Sequence, residues 1–153
     1  MANNKFVKAV LAGIAATAIM TVFGVAAPLV GLPKINPAEM LMAMLGISAA
    51  LSWIIHFLIG VIFASSYVYG FDPLVKINSG FWKGIFFGFA VFVFAQIMLF
   101  IIGLLKPMPA PENPTLMIVA SVLGHLVYGV FVVWTVSMIS SVKTKSGRSI
   151  TAH

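Results

Sequence analysis

The chain has no cysteine. Disulfides, thiolate metal sites, iron–sulfur clusters, covalent c-type haem and cysteine nucleophiles are therefore all excluded. Charge is scarce too. Charged residues are 8% of the 153, where a soluble domain carries ~25% to keep its surface wet. Nine basic and three acidic side chains cannot cover a water-facing surface, so a soluble globular fold is excluded. The three acids, Glu39, Asp72 and Glu112, all stand outside the long apolar runs. Paired-carboxylate catalysis, carboxylate di-metal sites and acidic proton relays have no residues to use inside a membrane. There is no glycine-rich phosphate loop after a strand, and no Ser-His-acid triad can be assembled without a buried acid. The expectation is a protein that is not an enzyme.

What the chain does have is apolar length. Hydrophobic residues are 61% of it and the mean hydropathy is +1.13. Ala9 to Pro33, Met40 to Phe71, Gly84 to Leu105 and Asn113 to Val142 contain no charge. A bilayer core of ~30 Å takes ~20 helical residues, so each run can cross it. The second run is too long for one span, and Gly46-Ile47-Ser48 is the natural break. The reading is an all-α integral membrane fold, a four-helix bundle with spans at about 7–29, 49–70, 82–105 and 115–139. A short interfacial helix at about 37–45 precedes the second span. Asn36 as N-cap, Pro37 at the first helical position and Glu39 at the third mark its start; Asn113-Pro114 opens the last span in the same way. The alanine-rich first run is not a signal peptide, because its 25 uncharged residues exceed an h-region of ~7–15. Residues 1–141 read as one transmembrane domain and 142–153 as a disordered cytoplasmic tail, whose His153 carries no weight.

The net charge of +6 is a membrane signature rather than a nucleic-acid one, since the basic residues flank the apolar runs. Lys5, Lys8, Lys76, Lys83, Lys143, Lys145 and Arg148 fall on one side; only Lys34 and Lys106 fall on the other. The positive-inside rule then puts both termini in the cytoplasm. Tyr67, Tyr69, Trp82 and Trp134 fit an aromatic belt at the cytoplasmic ends. The lipid bilayer is the certain partner, with other membrane subunits or a second copy beyond it, and no nucleic acid.

The two halves, about 7–71 and 82–140, resemble each other. A shift of 75 aligns Lys8, Gly13 and Ala15 with Lys83, Gly88 and Ala90, and sets Gln96 opposite Thr21; a shift of 69 aligns Ser52-x3-His56-x3-Gly60 with Ser121-x3-His125-x3-Gly129. Each half starts on the same side, so the repeats are parallel, unlike the inverted repeats of many transporters. Ala9-x3-Gly13 and Gly84-x3-Gly88 put small residues one turn apart, a pattern for close helix packing inside the bundle or toward a partner. It is also ordinary glycine usage in membrane helices.

Intramembrane polar residues are few: Thr21, Gln96, Ser52, Ser121 and the two histidines. Gln96 reads as an interhelical hydrogen bond rather than a substrate contact. Met40, Met42 and Met44 read as apolar filling rather than copper ligands. His56 and His125 are functional candidates because ionisable groups are costly in a bilayer. The simplest reading is two neutral imidazoles bonded to Ser52 and Ser121, or to each other. A closed structural zinc site is not the expectation, because zinc wants ~4 ligands and finds two. A b-type haem needs only one or two axial histidines, and Gly60 and Gly129 would leave room for the porphyrin face. A quinone or another small ligand is the remaining reading; no bound cofactor is the primary expectation.

Gly13-x2-Ala16-Thr17 in the first helix, the proline-containing outer loop and His56-x3-Gly60 in the second helix resemble small uncharacterised four-helix inner-membrane proteins of bacteria and archaea. The resemblance covers most of residues 7–140. It implies a prokaryotic plasma membrane, loosely alongside respiratory proteins, and supplies no activity or site. The functional expectation is a small accessory or interaction subunit of a larger membrane complex, respiratory or electron-transfer assemblies being the first candidates. The alternative is a small transporter or channel acting as an oligomer.

Overall fold

The structure, a computed structural model, describes residues 4–106 and 112–150, with side chains as far as Ser141. Four helical segments are long and apolar enough to cross a membrane: Lys5–Val30, Ala49–Leu74, Gly80–Leu105 and Pro114–Ser141. The described residues contain no strand.

Helix α1 (Lys5–Ala26) continues into a 3-10 turn, Ala27–Val30, which Gly31 closes in the left-handed conformation at φ 78°. That region favours glycine because a Cβ would crowd the backbone. Helix α2 (Pro37–Leu45) starts where the sequence predicts: the Asn36 side chain accepts from the amides of Ala38 and Glu39, and Pro37 is the first helical residue. It ends at Gly46, again left-handed, at φ 68°. Ser48 then caps α3 (Ala49–Ser66), followed by a π-turn, Tyr67–Phe71, and a single turn, α4 (Asp72–Leu74). Ser79 caps α5 (Gly80–Leu105). Asn113 accepts from the amide of Leu116 at the start of α6 (Pro114–Ile150).

That last helix overruns the expected end of its span. The uncharged run predicts a span ending near 139 and an unstructured 142–153, but the backbone stays helical to Ile150. The segment has no proline to interrupt it, and its Lys, Arg and Ser residues permit a helix. Residues 151–153 lie outside the described part.

Each half is a helical hairpin, α1 on α3 and α5 on α6, and α1 also packs along α6. The contacts within the two hairpins are nearly superimposable. A Cβ on Gly13 would come within 2.6 Å of the Val61 Cα; a Cβ on Gly84 would come within 2.6 Å of the Val130 Cα. Gly60 faces Thr17 and Gly13, just as Gly129 faces Gly88 and Gly84. Thus Gly13 corresponds to Gly84 and Thr17 to Gly88, a shift of 71. The shift of 75 expected for the first helices is one helical turn out. Gly84-x3-Gly88 offers two glycines on one face, and either can be laid on Gly13. At the observed shift Thr21 corresponds to Phe92, not to Gln96.

The core lies between these backbones. Ala9, Ala12, Ala16, Ala64, Phe87, Val91, Tyr128 and Val132 are buried in one cluster. Helix α3 and the π-turn after it meet α5 through rings instead of backbone: Phe63 of α3 stands edge-on to Phe94 at 5.4 Å, and Tyr67 of the π-turn to Phe87 at 5.0 Å. Tyr67 is buried rather than part of an interfacial belt, and its hydroxyl donates to Asp72 at 3.2 Å. Asp72 also holds Lys83 at 2.9 Å, so it is not the free solvated charge that its loop position implies. At the other end of the bundle Lys106 donates to the carbonyls of Ala43 and Met44, both at 3.0 Å. It thereby satisfies the last turn of α2, whose carbonyls have no partner within the helix.

Candidate functional site

The two histidines sit one on α3 and one on α6, at matching positions of the repeat. His56 is buried, His125 half-buried. Neither bonds the serine hydroxyl one turn away, as the sequence reading expected. Ser52 is fully buried and donates to the Ser48 carbonyl at 3.0 Å. The partner of His56 is Thr21 on α1: Nε2 lies 3.1 Å from Oγ1. Because the Thr21 hydroxyl donates its only hydrogen to the Thr17 carbonyl at 2.8 Å, it accepts from His56. The neutral ring then carries its hydrogen on Nε2 and leaves Nδ1 as a bare acceptor.

His125 has the opposite arrangement. The residue that corresponds to Thr21 is Phe92, which offers a ring face 5.8 Å from the imidazole and no hydroxyl. His125 turns back on its own helix, and Nδ1 donates to the Ser121 carbonyl at 2.7 Å. Its hydrogen is on Nδ1 and its lone pair on Nε2. The position that holds threonine beside His56 holds phenylalanine beside His125, and the two rings take different partners. Trp53 and Phe57 flank His56 at 6.0 and 5.8 Å.

Gly60 and Gly129 do not leave room for a cofactor. A Cβ on Gly60 would run into the Thr17 hydroxyl, and one on Gly129 into the backbone of Gly84 and Gly88. The space that a porphyrin face would need beside each glycine is filled by the first helix of the same hairpin. These glycines, with the buried Ala9, Gly13, Gly84 and Gly88, are helix contacts. The packing face is turned inward, within each hairpin. Gln96 is half-buried on α5 and makes no side-chain hydrogen bond among the described residues. Met44 is buried while Met40 and Met42 are exposed, so the three do not share one environment. The described residues hold no group of three His, Asp or Glu suited to a metal ion.

Two participants escaped the sequence reading. Tyr128 on α6 donates to the Gly60 carbonyl on α3 at 2.6 Å. Its signal was its position: a tyrosine well inside a span, away from the interface, needs a partner for its hydroxyl. Thr17 is 1% exposed and its Oγ1 has no hydrogen-bond partner among the described residues; it lies against Gly60, where the missing side chain makes space for it.

Fold and site together define a multi-pass helical membrane protein in which the Thr21–His56 and Tyr128–Gly60 bonds fasten one helix to another. The chain belongs to a family of unknown function (DUF6789), matched over residues 3–146. No curated protein and no solved structure gives a match.

Proposed function

We propose that the protein is a non-enzymatic accessory subunit, a compact bundle that associates with another membrane protein within the bilayer. In this reading it resides in a prokaryotic inner membrane with both termini in the cytoplasm. The observation that carries the proposal is the closed interior. The Tyr128–Gly60 bond ties α6 to α3, the Thr21–His56 bond ties α1 to α3, and glycine contacts at Gly13, Gly84 and Gly88 press the paired helices together. A solute path or a substrate pocket would have to open these contacts. By contrast, the outer surface of α5, with Phe81, Phe86, Phe89, Phe100 and Leu104 all exposed, is suited to lipid and to a neighbouring helix, where packing rather than hydrophobic drive gives association.

Purification of the tagged protein from its native membrane in a mild detergent tests this. The expected result is one set of foreign membrane subunits at fixed stoichiometry, retained through size exclusion. A homo-oligomer that conducts a solute after reconstitution would replace this reading with a transporter.

A further inference from the structure

We propose that Lys8 anchors a binding site for the phosphate headgroup of an anionic phospholipid, at the end of the bundle where α1 begins and α6 finishes its span. This site is independent of the role of the protein as a subunit. Lys8 lies in the first turn of α1 but as a residue is only 8% exposed, because its side chain turns onto α6 rather than extending along the surface as snorkelling lysines do. Its described hydrogen bond is to Ser140 Oγ on α6, at 2.8 Å. Ser140 in turn donates to the Val136 carbonyl, which fixes the hydroxyl as an acceptor toward Lys8. A hydroxyl satisfies one of the three ammonium donors and neutralises none of the charge. A charge withdrawn from water needs a counter-charge.

The chain cannot supply one from its acidic side chains. It has three. Asp72 is occupied by Lys83 at 2.9 Å and by the Tyr67 hydroxyl. Glu39 pairs with Lys34 on the far side of the membrane-spanning bundle, and Glu112 stands at the opposite end of α6 from Ser140. The surroundings of Lys8 are positive instead. Lys5 is one turn earlier on the same helix, its ammonium 5.8 Å over the Tyr69 ring. The Asn4 side chain leaves the first amides of α1 uncapped, which adds the partial positive charge of a helix start. No anion meets Lys8 among the described residues, and the proposed one comes from outside the chain. A residue in the first turn of a span stands at the level of lipid headgroups, and a phosphodiester carrying net negative charge meets the donors of Lys8 and Lys5 there.

The full chain, exchanged into nanodiscs of equal phosphatidylglycerol and phosphatidylcholine and released for native mass spectrometry, tests this. Wild type should keep one phosphatidylglycerol in preference to phosphatidylcholine. Lys8→Met should lower that preference about fivefold, the scale of one basic residue against an anionic headgroup, while Lys76→Met in the exposed loop leaves it unchanged. Circular dichroism checks that both variants stay helical. Absence of any preference in the wild type overturns the proposal without reference to a variant. Equal losses in Lys8→Met and Lys76→Met would mean diffuse surface charge and also overturn it. Displacement of the retained lipid by inorganic phosphate at the same concentration would make the ligand a soluble phosphate and overturn the assignment to lipid.

Discussion

Tyr128 and Gly60 join α6 to α3 by a buried hydrogen bond of 2.6 Å from a phenol to a backbone carbonyl. Gly60 also meets α1, where an added Cβ would run into the Thr17 hydroxyl. The bond links the second helices of the two hairpins.

Tyr128→Phe keeps the ring and removes the bond. The expected cost is about 0.5–1.5 kcal/mol, the range for interhelical hydrogen bonds in membranes. Unfolding in mixed micelles of increasing SDS fraction measures it. An unchanged midpoint would mean that the bond contributes nothing.

Gly84→Ala should destabilise the protein by about 1–3 kcal/mol, the usual penalty for overpacking, because the new Cβ would stand 2.6 Å from the Val130 Cα. Gly103→Ala, on the same helix, meets nothing within 4 Å. It should be neutral or stabilise by up to about 1 kcal/mol through helix propensity. The same SDS titration separates them, and a similar response to both substitutions would remove the case for backbone contact at Gly84.

The two histidines should be distinguishable by nitrogen NMR of the neutral protein. His56 is expected to protonate Nε2 and His125 Nδ1, from their bonds to Thr21 and to the Ser121 carbonyl. Thr21→Val should disturb the His56 signals and leave those of His125 in place. The same tautomer for both rings would contradict the assignment.

The absence of cysteine makes topology directly testable. Asn78→Cys, in the loop between α4 and α5, and Glu39→Cys, in α2, should react with an impermeant maleimide from opposite faces. With more basic residues beside Asn78, the positive-inside rule predicts labelling of Glu39→Cys from outside. Labelling of both from one face would refute the four-span arrangement.

The sequence by itself determined the elements. Four uncharged runs of bilayer length specify four helices, and Asn36-Pro37, Gly46 and Asn113-Pro114 specify where helices start and stop. These signals are local: an uncharged run must satisfy its backbone internally in lipid, and a cap acts on amides two or three residues away. The tertiary structure decided which faces meet. One helical turn brings the same face round again, so a glycine pair four residues apart fits its partner equally well in two registers when read along the chain. Only the approach of Gly13 to Val61 and of Gly84 to Val130 selects the shift of 71. The partners of the histidines follow from that choice. Thr21 and Phe92 are far from His56 and His125 in sequence, and only the packed hairpins bring a hydroxyl to one imidazole and a ring to the other. The charges followed the same division. Composition revealed that acids were few, but packing put Asp72 on Lys83 and left Lys8 buried beside a serine, because a side chain's burial depends on the neighbouring helix and not on its own.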